Sequence, residues 1–88
     1  MSSIVTPSSV KGGSAVEHCI VAELEKYFVA LGTEKPTGVH RMVMIQAERA
    51  VIQFVVDQAE GNQSLAAEFL GISRGTLRRK LRELNIHL

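Results

Sequence analysis

The sequence predicts an all-α fold of four helices, assembled as a homodimer, on three observations. Apolar residues recur at three- and four-residue spacings along most of the chain. Ser, Asn and Gly stand where helices would begin and end. A long central segment is apolar around most of its circumference, and such a helix must be covered on most sides. Hydrophobic residues are 45% of the 88, with four aromatics among them, so the core draws on Val, Leu, Ile, Met and Ala. That palette suits helix-on-helix packing better than a small β-barrel, and the length allows one compact domain with a marginal core.

Residues 1–13, rich in Ser, Gly and Thr, are expected to form a flexible arm. Ser14-Ala-Val-Glu17 has the spacing of a capping box. The helix it opens carries Val16, Ile20, Leu24, Tyr27, Phe28 and Leu31 on one face, with Gly32 as its left-handed stop. Thr33 to Gly38 is a loop containing Pro36. A longer helix is expected from about Val39 to Glu60, ended by Gly61. Ala47, Val51, Phe54, Val55 and Gln58 lie along one stripe of it, and Met42, Ile45, Ile52, Val56 and Ala59 along another. The remaining helices are too short to cover roughly 30 Å of it. A second copy of the chain would, which makes residues 14–60 a helical dimerisation region; a monomer with a loosely covered central helix is the competing reading. Asn62 caps a helix from Gln63 to Leu70 that stops at Gly71. Ser73 caps the last, Arg74 to about Leu84, with Leu77, Leu81 and Leu84 facing inward.

Charge divides the chain. Residues 1–60 hold five Lys/Arg and seven Asp/Glu, whereas residues 61–88 hold five (Arg74, Arg78, Arg79, Lys80, Arg82) and two (Glu68, Glu83). An acidic body with a basic end is the asymmetry expected of a chain that meets a polyanion.

Several function classes are excluded. The single cysteine, Cys19, forms no intrachain disulfide and fits a reducing compartment. No apolar run approaches the ~20 residues of a membrane span, and the start lacks the features of a signal peptide. The expectation is a cytoplasmic protein without a membrane partner. His18, Cys19, His40 and His87 fit no zinc spacing, so neither metal nor cofactor is expected. Glu23, Glu25 and Glu48 face no nucleophile, Ser8 and Ser9 have no base at readable spacing, and Gly61-Asn62-Gln63 lacks the further glycine and lysine of a phosphate loop. No catalytic residues are identified, and the chain reads as a non-enzyme.

Residues 61–88 do carry a motif, at about 63–82. Helix, glycine-centred turn and helix is the helix-turn-helix, whose second helix enters the major groove of DNA. Ala66 and Ala67 supply small residues where the helices touch, Gly71 permits the turn, and Ile72 and Leu77 pin the second helix across the first. Ser73, Arg74, Thr76, Arg78, Arg79 and Lys80 are then left facing outward. Arg74, in the first turn, suits bidentate pairing with guanine. Ser73 and Thr76 offer hydroxyls, and the Thr76 methyl suits thymine. Arg78, Arg79 and Lys80 suit phosphates, as do the free N–H groups at Asn62, Gln63 and Ser64. The bland alternative for the basic run is a solvated face.

On Gly61-Asn62-Gln63, Ala66-Ala67, Leu70-Gly71-Ile72, Arg74-Gly75-Thr76-Leu77-Arg78 and Lys80-Leu81, the chain resembles the Fis family, the bacterial factor for inversion stimulation. Tyr27-Phe28 and the helix to Glu60 extend the resemblance over about residues 16–88. The last forty or so residues are also similar to the DNA-binding tails of sigma-54-dependent activators. The Fis resemblance implies a nucleoid-associated all-α homodimer that bends double-stranded DNA, regulates transcription and, in some bacteria, enhances site-specific inversion. RNA polymerase and a site-specific recombinase are the further partners it implies. Carried over, base reading falls on Ser73 and Arg74, with Thr76 and Lys80 close by, and phosphate contact on Asn62, Ser64, Arg78 and Arg79. Two positions and the arm depart from the family pattern. Ser73 replaces asparagine, Ala50 replaces a kinking proline so that a straighter helix is expected, and the arm has a different sequence.

Three readings are open at this point. The first is a complete, homodimeric, DNA-bending regulator, with Met1 and Leu88 as its natural ends. The second is the detached tail of a larger activator. The third, of another class, is a helical dimerisation module with a protein partner.

Overall fold

A computed structural model describes residues 12–87, of which four segments are helical and none is a strand: α1 (Ala15–Leu31), α2 (Val39–Gln58), α3 (Gln63–Leu70) and α4 (Arg74–Glu83). Apart from Gly12 and Gly13, the arm expected at 1–13 lies outside the described residues. The chain divides into two packing units, at 1–39 and 40–88.

In the first unit, α1 begins as its sequence dictates. Ser14 Oγ accepts a hydrogen bond from the Glu17 N–H at 3.2 Å, and the Ser14 N–H donates to Glu17 Oε1 at 2.6 Å. This reciprocal pair satisfies two donors that the helix itself leaves free. The Ser14 N–H, then the Ser14 hydroxyl, hold the Glu17 carboxyl below its ordinary range. Gly32 ends the helix at φ 64°, ψ −115°, outside the left-handed helical well expected for it, and its N–H bonds Val29 O at 3.1 Å. The tighter three-residue turn explains the difference: no carbonyl further back is engaged.

In the second unit, α2, α3 and α4 share one core. Ile52, Val56 and Ala59 come from α2 and the turn after it, Ala66 and Ala67 from α3, Leu77 and Leu81 from α4, and Leu84 and Ile86 from the segment after it. Ile45, Val55, Leu65, Leu70 and Ile72 pack around these. The expected boundary after residue 60 therefore falls inside a packing unit, because α2 contributes directly to the core of the C-terminal helices. The two stripes on α2 separate only in part. Ile52, Val56 and Ala59 of one are buried while its Met42 and Ile45 are half-buried; the other leaves Val51 and Phe54 exposed, at 54% and 65%, but its Val55 packs against the core. The helix runs unbroken through Ala50, where no proline interrupts it.

All three helices of this unit end the same way. A left-handed residue follows the last turn, and the next N–H reaches back five residues, the Schellman arrangement. Gly61 N–H bonds Val56 O at 3.1 Å, Ile72 N–H bonds Ala67 O at 3.1 Å, and Ile86 N–H bonds Leu81 O at 2.9 Å. The left-handed residues are Glu60 (φ 54°), Gly71 (φ 76°) and Asn85 (φ 58°). Glycine and asparagine tolerate that conformation, whereas glutamate is strained by its Cβ. α2 accordingly stops at Gln58, short of the expected Glu60. Glu60→Gly is expected to stabilise the protein by about 0.5–1 kcal/mol. A higher urea midpoint at unchanged slope would show it; a lower midpoint would mean that Glu60 makes a compensating contact.

Candidate nucleic-acid interface

The candidate site is built on α3, the turn at Gly71, and α4. Asn62 Oδ1 accepts from the Leu65 N–H at 3.0 Å, which caps α3 and leaves the side-chain NH2 free to donate. The Gln63 and Ser64 N–H groups, at the first two helical positions, have no partner among the described residues. Three donors thus converge at the positive end of a helix, where an anion is favoured. Gly71 turns the chain in the left-handed conformation, and a Cβ there would meet nothing within 4 Å. The requirement for glycine is therefore conformational, not one of space.

Ser73 caps α4. Its hydroxyl accepts from the Thr76 N–H at 3.0 Å and donates to Thr76 Oγ1 at 2.9 Å. Each of the two hydroxyls can donate and accept, so the pair shares one proton and keeps the other for a further partner. The cap therefore holds the Thr76 hydroxyl beside Ser73 at the start of α4.

Along α4, Leu77 and Leu81 are buried, and Arg74, Arg78 and Arg82 are exposed at i, i+4 and i+8. This spacing lines the three guanidinium groups along one ridge of the helix. Arg79 is also exposed and pairs with Glu83 at 3.1 Å. Lys80 differs: its Nζ lies 2.6 Å from Glu48 Oε2 on α2, and its side chain is only 23% exposed. Of the residues marked out by sequence, Asn62, Ser64, Ser73, Arg74, Arg78 and Arg79 are exposed, and Gln63, Thr76 and Lys80 are half-buried.

A groove of about 560 Å³ runs beside these residues, lined by Gln63, Arg78, Leu81, Arg82, Asn85, Ile86 and His87. It joins the start of α3 to the end of α4 and carries two guanidinium groups. Arg82, Asn85 and His87 were not marked out from the sequence as site residues. The spacing of Arg82 four residues after Arg78 was the available signal; for Asn85 and His87, beyond the helix, there was none. No three His, Cys, Asp or Glu side chains gather as metal ligands would among the described residues, and no helix there is long and apolar enough to cross a membrane.

Two short helices joined through a left-handed glycine, with a leucine face turned in and an arginine ridge turned out, define a helix-turn-helix protein. Comparison with known proteins agrees. Residues 44–84 match the family described as bacterial regulatory protein, Fis family. A putative Fis-like DNA-binding protein of Ralstonia nicotianae is 44% identical over 68 residues, covering 77% of this chain and 88% of that one. A protein of Pseudomonas aeruginosa with the same description is 32% identical over 83 residues, covering 94% and 78%. The DNA-binding protein Fis of Mannheimia haemolytica is 39% identical over 64 residues, covering 73% and 65%. The chain belongs to the Fis family, and that family's description as regulatory agrees with its reading as a non-enzyme.

Ser73→Ala is expected to cost about 1 kcal/mol of stability through loss of the cap. Ser73→Asn, which caps equally well, should stay within about 0.5 kcal/mol of the parent. Urea denaturation of both variants checks this, and equal losses would mean that the cap is not what Ser73 contributes.

Proposed function

We propose that this protein is a homodimeric regulator that binds and bends double-stranded DNA, acting in transcription regulation and nucleoid organisation. The observation that carries the reading is the exposed ridge of Arg74, Arg78 and Arg82 on a helix whose leucine face is locked into the core. The names of the relatives, which include DNA binding, support it.

Each residue takes a role from its geometry. Arg74, exposed in the first turn of α4, reads guanine, and the Thr76 hydroxyl donates to a base or phosphate acceptor beside it. Ser73, held by its cap, orients Thr76. Phosphates are taken by the Asn62 side chain, by the Gln63 and Ser64 amides, and by Arg78, Arg79 and Arg82. Such contacts fix the register of the protein on the duplex without reading sequence.

The dimer is formed through the exposed stripe of α2. Met44, Val51 and Phe54 are apolar and exposed, at the seven- and three-residue spacings of a helix–helix seam. Two recognition helices on one scaffold are held at a set separation. The family resemblance implies that this is shorter than the groove spacing of straight B-DNA, so the duplex curves to meet both, most cheaply at flexible pyrimidine–purine steps.

A gel-shift salt series tests the DNA reading. Affinity for duplex should fall by about 10³ or more between 50 and 200 mM salt if about six phosphates are neutralised. Arg74→Ala should cost ~1–3 kcal/mol at a preferred site and relax base choice, whereas Arg79→Ala should weaken all sequences alike. A parent that ignores duplex in dilute buffer would overturn the reading. For the dimer, sedimentation should show two copies of the parent at about micromolar concentration and one copy of Phe54→Asp, since a carboxylate in the seam would be buried without a partner. A variant that remains dimeric would place the seam elsewhere.

A further inference from the structure

Lys80 belongs by sequence to the run Arg78-Arg79-Lys80, but its surroundings set it apart. Its ammonium group lies 2.6 Å from Glu48 Oε2, and its side chain is 23% exposed against 51% for Arg79. The next residue of α2, Arg49, donates from Nη2 to the Leu84 carbonyl oxygen at 3.0 Å, a part-buried bond. Leu84 follows the last turn of α4, where carbonyls lack helical partners and a cation is favoured. Lys80 and Leu84 lie four residues apart, on one ridge of the helix. Two adjacent side chains of α2 thus grip α4 at two successive points of that ridge. One grip is an ion pair that neutralises Lys80; the other is a charged cap on a carbonyl.

We propose that Lys80 is a positioning residue and not a phosphate contact: Glu48 draws it onto α2 and, together with Arg49, sets the rotation of α4 about its own axis. The leucines alone hold α4 inward, but leucine packing tolerates small rotations that two directional charge contacts do not. The rotation decides where the Arg74, Arg78 and Arg82 ridge points. The consequence for DNA rests on the DNA-binding reading above; the clamp itself does not.

Glu48→Gln is isosteric, and Lys80→Gln and Arg78→Gln remove the charge while leaving a polar, helix-compatible side chain. Without DNA, Lys80→Gln should raise the unfolding equilibrium constant about threefold or more in the parent, and hardly at all in a Glu48→Gln background. With DNA, Lys80→Gln should leave the slope of log affinity against log salt within about 0.3 of the parent, while Arg78→Gln reduces it by about 0.9 per subunit. Glu48→Gln frees Lys80 and should steepen the slope, a gain that Lys80→Gln then removes. Independent effects of the two substitutions on unfolding would overturn the clamp. A fall of about 0.9 per subunit for Lys80→Gln alone would return Lys80 to the phosphate-binding set. Should the parent not bind duplex, the DNA-binding reading fails, and the unfolding measurements still decide the clamp.

Discussion

The inward placement of Leu77, which has no exposed surface, governs the C-terminal half of this protein. Apart from Leu77 and Leu81, α4 is built of Arg, Lys, Glu, Thr and Gly. A ten-residue helix of that composition is marginal by itself. It is held only if its two leucines, and Leu84 after them, enter the core together. Ala66 and Ala67 share that core with Leu77, and their short side chains let α3 and α4 lie close. With Leu77 turned in, helical periodicity turns Leu81 and Leu84 in as well and turns Arg74, Arg78 and Arg82 out. The cationic face is in this sense a product of apolar packing: a hydrophobic requirement aims the charges.

The turns reinforce the same arrangement. The Schellman endings of α3 and α4 send the chain back so that the residue after the turn, Ile72 or Ile86, meets the core. Ile86 N–H bonds the carbonyl of Leu81, itself a core residue, so the backbone bond and the apolar contact support one another. The ending after α4 places Asn85 and Ile86 beside Arg82 in the groove that begins at Gln63. Polar capping and apolar burial thus act on the same few residues.

Much of this was legible because helix ends are written in local side chains. Ser14 with Glu17, Asn62, Ser73 and Gly71 each specify a boundary through a bond or conformation within five residues, and α1, α3 and α4 begin and end close to where those signals stand. The inward leucines were legible for a similar reason, since their spacing is periodic. Other features depend on contacts distant in sequence. Lys80 reads as one member of a solvated basic run because Glu48, which claims it, lies on another helix. Arg49 carries no local mark of its bond to Leu84. The end of α2 is not legible from its stop signal, because the left-handed residue is Glu60, a type with no preference for that conformation, and the glycine stands one position later. The division after residue 60 traced the turns, whereas packing joins α2 to the two helices after it.

That joining matters for how the protein would act. Val51 and Ile52 are neighbours in sequence, so the exposed and buried faces of α2 lie about 100° apart on a single rigid rod. Ile52 and Val56 carry the helix-turn-helix on one face, and Met44, Val51 and Phe54 offer the other to a second copy on the proposed reading. No flexible joint separates dimerisation from recognition in such a design. A rotation of α2 that improved one interface would misalign the other, so the two recognition helices are constrained together. The contacts that set α4 on this rod are those of Glu48 and Arg49 and the cap at Ser73. Those contacts are small and polar, and altering them leaves the apolar core of the unit in place.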